Sequence, residues 1–284
     1  MARPLRVEFP GAVYHITSRG NARLPIFEHF NDKKIFLSIL EQVIDRYHWL
    51  CHAYCLMDNH YHLLIETIEP NLSSGMRQLN GVYTQSYNRK YKKVGHLFQG
   101  RFKSILVEKE IYLLELCRYI VLNPVRADMV KSVDKYTWSS YRATSGLIKP
   151  PAYLTIDWTL NHFGKKKVIA QKKYKAFVNE GLNQSSPWED LKSQCVLGTE
   201  QFIATLKQPL LKNIEAIEIP KQQRLLNRPS LEMLFESEDL LSKSSRNKII
   251  QEAIKIHGYT QSELSNYLGL HYSTISRLLK KMSK

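Results

Sequence analysis

The sequence predicts an α+β protein, and three observations support that class. Short segments with alternating apolar and polar residues, typical of half-buried strands, are interspersed with longer segments that have the apolar spacing of amphipathic helices. Over about residues 13–122 these segments follow the order β-α-β-β-α-β-α. The chain has 284 residues, of which 43% are hydrophobic and 24% charged, an ordinary composition for a globular protein.

Each element of this order has its own signal. The predicted elements are a strand at 13–19, a helix from an Asn31-Asp32 cap to about 47, strands at 50–57 and 60–67 around an Asp58-Asn59 turn, a helix from about 71 to 91, a strand at 102–107 and a helix from 110 to about 122. Pro124 is expected to end the last helix, because the residue before a proline disfavours helical geometry. Two βαβ-like halves around a central hairpin predict a ferredoxin-like antiparallel sheet, with helices on one face and the other face open to a ligand.

The middle of the chain is less patterned. Lys149-Pro150-Pro151 is a candidate boundary, and apolar residues between 188 and 206 could form a short helical layer. We therefore expect three regions: a first domain at 1–145, a helical or linker region at 146–240 and a separate domain at 241–284.

The last region predicts three helices at 246–257, 263–268 and 273–281, with Gly269 in the turn before the final one. This is helix-turn-helix spacing, although a plain three-helix bundle would share its apolar pattern. Residues 241–284 carry eight basic and two acidic residues, which favours contact with duplex DNA. The residues expected to face a major groove are Tyr272, Ser273, Thr274, Ser276 and Arg277.

Charge and cysteine content narrow the class of partner. A net charge of +15 favours a polyanion, with nucleic acid the first candidate. No apolar segment is long enough to span a membrane and no signal-peptide core is visible, so we expect no membrane partner. The four cysteines lack the spacing of a disulfide framework, which favours reduced thiols and a cytoplasmic location.

Two polar groups could form a metal-dependent site. His60 and His62 are two apart on a predicted strand, so they share a face and could bind one metal ion; two half-exposed histidines with nothing bound is the open alternative. Tyr119 and Asn123 share a helical face, and an asparagine carbonyl is a suitable third ligand for Mg²⁺ or Mn²⁺. A phenolate attacking a metal-polarised phosphate would be nucleophilic catalysis. A core tyrosine and an asparagine at a helix end remain possible, and Tyr112 is a competing nucleophile.

Several motifs, in order, resemble the single-tyrosine HUH transposases, and more narrowly the REP-associated tyrosine transposases. They are Tyr14-His15-Ile16-Thr17, Met57-Asp58-Asn59-His60-Tyr61-His62, Phe98-Gln99-Gly100-Arg101-Phe102, Arg118-Tyr119-Ile120 with Asn123-Pro124-Val125-Arg126, and Trp138-Ser139-Ser140-Tyr141. The resemblance covers about residues 5–145 and identifies this region as the catalytic domain.

The resemblance implies cleavage of single-stranded DNA beside hairpins through a 5′-phosphotyrosine intermediate, followed by rejoining without nucleotide energy. It implies that Tyr119 is the nucleophile and that His60, His62 and Asn123 bind Mg²⁺ or Mn²⁺. The basic residues expected to contact DNA here are Arg19, Arg101, Lys103 and Arg126. Tyr61 would face away from the metal, into the core.

Two other functions remain open. A catalytically idle DNA-binding regulator could keep the same fold, and the formation of a covalent protein–DNA adduct would discriminate against it. An RNA-processing protein would depend on the 2′-hydroxyl. The chain could act as a monomer or a homodimer.

Overall fold

The structure is a computed structural model that describes residues 7–183, 187–192, 195–206, 229–235, 243–255 and 257–281. It contains two compact units, one spanning residues 6–202 and the other built from the described residues beyond 202. The α+β class is confirmed. Parts of the expected regions 146–240 and 241–284 lie outside the described residues. Among the described residues, no helix combines the length and apolar character needed to cross a membrane.

The larger unit is organised around a sheet formed by the first half of the chain. Its elements are β1 (Ala12–Arg19), α1 (Phe30–Tyr47), β2 (Trp49–Leu56), β3 (His60–Thr67), α2 (Leu72–Tyr91), β4 (Lys103–Val107) and α3 (Lys109–Arg126). The strand order β2-β3-β1-β4 is antiparallel at every pair. This arrangement places β3 and β1, which carry the candidate histidines, in the middle of the four strands.

The sheet continues beyond β4 with residues from the middle of the chain. After the helices α4 (Tyr141–Thr144), α5 (Asp157–Asn161) and α6 (Lys167–Glu180) come β5 (Leu191–Lys192), β6 (Val196–Leu197) and α7 (Glu200–Thr205). β6 pairs in parallel with β4, and β5 pairs with β6. The sheet is therefore mixed: the four expected strands pair antiparallel, and the parallel pairing of β6 with β4 was not expected. Part of the expected helical layer at 188–206 forms the short strands β5 and β6 instead. These strands could not be recognised in the sequence, because two residues are too few to show alternation.

Helices cover both faces of the sheet. On one face α1 and α2 pack around Tyr61, whose ring lies 4.8 Å from Phe36 and whose hydroxyl donates to Asn80 at 2.6 Å. The expectation that Tyr61 points into the core is confirmed. On the other face α3 packs Leu116 and Ile120 against the strands. The expectation of an open face is wrong, because α3 carries an apolar stripe that this face buries.

The α3 helix continues through Pro124 to Arg126, about four residues past its expected end at 122. Pro124 has no N–H to donate to the carbonyl of Ile120, four residues earlier. The side chain of Asn123 compensates, since its Nδ2 donates to that carbonyl at 3.3 Å and to the carbonyl of Tyr119 at 2.9 Å. The prediction that Pro124 ends the helix is therefore wrong for an identifiable physical reason.

The α1 helix begins at Phe30, one residue before the expected Asn31-Asp32 cap. His29 is the N-cap, and Asp32 occupies the third helical position of a capping box. The buried Asp32 carboxylate accepts hydrogen bonds from the backbone N–H groups of Glu28 and His29 at 3.0 and 2.9 Å. It also accepts from the Tyr91 hydroxyl at 2.7 Å, which ties α1 to the end of α2.

The second unit is helical over its described residues. Its helices are α8 (Leu231–Phe235), α9 (Lys243–Lys255), α10 (Gln261–Leu268) and α11 (Tyr272–Lys281). Thr260 and Glu263 form a capping box at the start of α10, and Gly269 ends that helix with a φ of 64°, a backbone conformation that suits glycine. A small core that includes Ile250, Leu264 and Ile275 holds α9, α10 and α11 together.

Candidate active site

The two histidines of the His60-Tyr61-His62 motif lie on the face of β3 that α3 covers. β1 runs alongside, with Arg19 opposite His60 and Thr17 opposite His62. The two imidazole rings are 5.0 Å apart between centroids. His62 is 7% exposed, and His60 is half-buried at the end of the strand. The prediction that both side chains share one face is therefore confirmed.

Hydrogen bonds define which nitrogen of His60 can bind a ligand. Asn59 donates through Nδ2 to the carbonyl of Arg23 at 3.1 Å, so its Oδ1 is left to accept. His60 Nδ1 lies 2.7 Å from that Oδ1 and must carry the proton. The lone pair of His60 is consequently on Nε2, the nitrogen that a metal ion would use.

His62 has a matching arrangement with a different partner. Its Nδ1 lies 3.0 Å from Nε2 of His15, a buried histidine on β1, and the two rings stack at 5.2 Å. Its Nε2 is buried and makes no hydrogen bond within the described structure. If His62 donates through Nδ1 to His15, Nε2 carries an unshared lone pair beside His60. A buried polar atom without a partner is costly unless something binds it.

All three histidines are held in the neutral form. Burial lowers the pKa of His15 to about 3. Burial and the nearby Arg19 charge lower the pKa of His60 to about 4. Burial and the neighbouring histidines hold the pKa of His62 well below its ordinary value. Neutral imidazole is the form that can ligate a metal ion, so protonation would not compete with a cation here near neutral pH.

Tyr119 reaches this site from α3. Its ring packs edge-on against His62, with centroids 6.4 Å apart. The Arg126 guanidinium lies 5.2 Å from the centre of the same ring. Trp188 also packs edge-on against this ring, with centroids 5.2 Å apart. The structure therefore brings the predicted nucleophile next to the predicted histidine pair, while Tyr112 lies two turns earlier on α3.

Asn123 follows Tyr119 by one helical turn and is half-buried. Its Nδ2 is engaged by the α3 backbone, so its Oδ1 is the atom left for a ligand. It makes no hydrogen bond to His60 or His62 in the described part of the chain. Nor do the described residues contain a cluster of three or more His, Cys, Asp or Glu side chains that could hold a metal ion. Two imidazole nitrogens and one amide oxygen nevertheless fit a Mg²⁺ or Mn²⁺ ion that keeps water or phosphate oxygens.

The basic residues predicted to contact DNA are on the surface. Arg19, at the end of β1, and Arg101 and Lys103, before and at the start of β4, are exposed. Arg126 is exposed at the end of α3 and donates to the carbonyl of Gly181 at 2.9 Å. In the second unit the predicted groove-facing residues lie on α11, where Tyr272 is 54% exposed. The other four residues of this predicted set on α11 are Ser273, Thr274, Ser276 and Arg277.

Two residues of the site had no predicted role. His15 lies in a predicted strand with clear alternation, but its pairing with His62 depends on the register between β1 and β3. Trp188 lies in the poorly patterned middle region, and only its size and aromaticity mark it. All four cysteines are free thiols, as expected.

Comparison with known proteins agrees with this geometry. Residues 9–123 match the family model described as "Transposase IS200 like", a segment that contains the four-stranded sheet, both histidines, Tyr119 and Asn123. Over this segment the chain is therefore similar to the IS200-like transposases.

One solved structure is described as that of the REP-associated tyrosine transposase bound to a REP hairpin. It is 18% identical in sequence, covers 56% of this chain and 91% of its own, and has a TM-score of 0.45. None of the curated proteins compared with the chain matches it.

Proposed function

We propose that this protein is a metal-dependent endonuclease and strand transferase for single-stranded DNA, with Tyr119 as its nucleophile. The observation that carries the proposal is the contact between the Tyr119 ring and His62, 6.4 Å apart between centroids. It joins two motifs that are separated by almost sixty residues, and both lie in the segment that matches the transposase family.

The proposed reaction exchanges one phosphodiester for another. The Tyr119 hydroxyl gives up its proton to water as its oxygen attacks the scissile phosphorus, the bond to the 3′ oxygen breaks, and the leaving oxygen takes up a proton from water to become a free 3′-hydroxyl. The 5′ end stays on the enzyme as a phosphotyrosine ester. Attack by a 3′-hydroxyl on this ester reverses the step and rejoins DNA, so the energy of the bond is conserved.

His60, His62 and Asn123 would hold the divalent ion, Mg²⁺ or Mn²⁺. When bound, this ion would polarise the scissile phosphate and neutralise its developing charge. The protein's own part is orientation: Asn59 and His15 hold the Nδ1 atoms of the two histidines, which leaves Nε2 of each for the ion. The unpartnered, buried Nε2 of His62 supports this assignment.

The DNA would approach across the exposed basic residues near the site. Arg19 lies opposite His60, and Arg101 and Lys103 are exposed near the start of β4. These charges suit contact with the phosphates of single-stranded and hairpin DNA. Arg126, beside Tyr119, would contact the phosphate nearest the reacting tyrosine.

We also propose that the order β2-β3-β1-β4 is a ferredoxin-like core belonging to a catalytic domain at 1–145. The region 146–240 would connect it to a helix-turn-helix at 241–284. The capping box of α10, the left-handed Gly269 and the exposed side chains of α11 support a role in duplex DNA binding.

The proposal is tested with hairpin-bearing single-stranded DNA, labelled at its 3′ end so that the label stays with the 5′-phosphate product. With Mg²⁺ or Mn²⁺ the wild-type protein is expected to form an adduct that survives denaturing electrophoresis. Chelation of the metal, Tyr119→Phe and His62→Ala are each expected to eliminate it. A wild-type protein that binds the DNA but forms no adduct on a broad substrate panel would contradict the proposal and favour an idle DNA-binding regulator.

A further inference from the structure

Trp188 connects the candidate active site to a part of the chain that lies outside the transposase-like segment 9–123. Its indole ring lies 4.9 Å from His15 and 5.2 Å from Tyr119, measured between ring centroids. His15 in turn stacks on His62, which contacts Tyr119. Each of these four rings therefore contacts two of the others, and Trp188 is the only one of the four that does not come from β1, β3 or α3.

The chain is anchored on both sides of Trp188. Before it, Gly181 accepts a hydrogen bond from Arg126 at 2.9 Å, and it packs so closely on Arg118 that an added Cβ would lie 2.4 Å from that side chain. After it, β6 pairs with β4, and Glu108 N–H donates to the Leu197 carbonyl at 2.8 Å. The chain is therefore attached to α3 before Trp188 and to the edge of the sheet after it, and Trp188 itself packs against the apolar cluster that α3 covers.

The neighbours of Tyr119 restrict the orientation of its ring. Two torsions of the tyrosine side chain must be set before its oxygen can meet a phosphorus atom in line. His62 and Trp188 both meet the ring nearly perpendicularly, at 82° and 84°, and the Arg126 guanidinium lies 5.2 Å from its centre. Edge-to-face contacts are the preferred geometry of aromatic pairs and restrict ring orientation.

We propose that Trp188 is a positioning residue that fixes the ring of Tyr119 for attack. The middle region thus completes the active site. This inference rests on the proposed function, since it assumes that Tyr119 is the nucleophile. Trp188 itself makes no bond in the reaction.

The chain provides a matched control for a purely structural effect. Trp158 is also partly buried and packs against the same apolar cluster beneath α3. Its ring lies instead near His52, Lys109 and His162. Trp158→Ala should therefore remove similar apolar contact without touching the orientation of Tyr119.

Two measurements test the inference. In single-turnover reactions, Trp188→Ala is expected to slow adduct formation about 10- to 100-fold, because small misplacement of a reacting group is costly. Its DNA affinity should stay within about twofold of wild type. Trp188→Phe should recover most of the rate, and Trp158→Ala should retain it. A rate for Trp188→Ala equal to that of Trp158→Ala would overturn the inference while leaving the proposed function intact.

The second measurement does not depend on activity. With 3-fluorotyrosine at position 119 of the full chain, the ¹⁹F signal is expected at a chemical shift displaced from that of free fluorotyrosine, because the neighbouring rings hold the tyrosine ring in place. In Trp188→Ala the ¹⁹F signal should move to an averaged chemical shift near that of free fluorotyrosine, whereas in Trp158→Ala it should keep the wild-type shift. An unchanged spectrum in Trp188→Ala would overturn the inference even if the wild-type protein formed no adduct.

Discussion

Replacing His15 with phenylalanine tests how the neighbouring histidine orients His62 for the proposed metal ion. Phenylalanine keeps an aromatic ring to stack against His62 and Trp188, but it removes the nitrogen that lies 3.0 Å from His62 Nδ1. To bind a metal through Nε2, His62 must then keep its Nδ1 proton against an apolar ring. Without that partner neither the Nδ1 proton nor the orientation of the ring is fixed, and Nε2 becomes a weaker ligand, so the loss falls on metal binding.

The size of the expected loss in metal affinity follows from the burial of the two histidines. His15 and His62 are 3% and 7% exposed, so water cannot replace the missing partner. A buried donor left unsatisfied costs about 1–3 kcal/mol. At about 1.4 kcal/mol per factor of ten, this corresponds to metal binding weakened about 5- to 150-fold. The range agrees with the roughly 10- to 100-fold losses that follow removal of such outer partners in metal sites.

Titration calorimetry with Mn²⁺ on the full chain measures this loss directly. The control is His52→Phe, because His52 is another buried histidine of the sheet whose Nε2 lies 2.8 Å from Glu66 rather than near the site. His52→Phe should lower stability and leave Mn²⁺ affinity unchanged. If His15→Phe bound Mn²⁺ as tightly as the wild-type protein, the reasoning about His62 Nδ1 would be refuted.

Three further predictions concern stability and the second unit. Burial holds the pKa of His15 at about 3 and that of His60 at about 4, below the unfolded value of 6.5, so protons bind the unfolded chain more strongly. The free energy of unfolding should therefore be highest above pH 6.5 and fall toward pH 4; thermal melts with an unchanged midpoint over this interval would contradict this. Asp32→Ala, which leaves the donors just before α1 and at the end of α2 without their acceptor, should lower the free energy of unfolding by about 3 kcal/mol in denaturant titrations. The matched change Asp134→Ala removes a more exposed ion pair and should lower it far less, and equal losses in the two variants would contradict the role given to Asp32. Removal of residues 241–284 should abolish duplex-DNA binding in mobility-shift assays and leave adduct formation on single strands, and a truncated protein that still binds duplex would refute the role given to α11.

The local elements of this fold are predictable because their signals are local. Alternation defines β3 and places His60 and His62 on one face, and helical spacing places Tyr119 and Asn123 on one side of α3. The Thr260–Glu263 capping box and Gly269 locate α10 in the same way. Each of these depends on neighbours within a few residues, and each was found where the residues indicated.

The remainder depended on contacts between distant residues. Coverage of the second sheet face by α3 could not be inferred from the helix alone. The continuation of α3 through Pro124 depends on the Asn123 side chain replacing one backbone donor. The position of β6 beside β4 brings Trp188 to the site, and a two-residue strand has no pattern from which that pairing could be predicted.

The central claim is that the Tyr119 oxygen becomes bonded to DNA. The most direct test is to trap the adduct, digest the protein and nucleic acid, and locate the nucleotide by tandem mass spectrometry. The proposed reaction predicts a 5′-nucleotide on Tyr119 in the peptide that also contains Asn123, and none in the Tyr119→Phe variant. A nucleotide on Tyr112, or an adduct that persists in Tyr119→Phe, would contradict it.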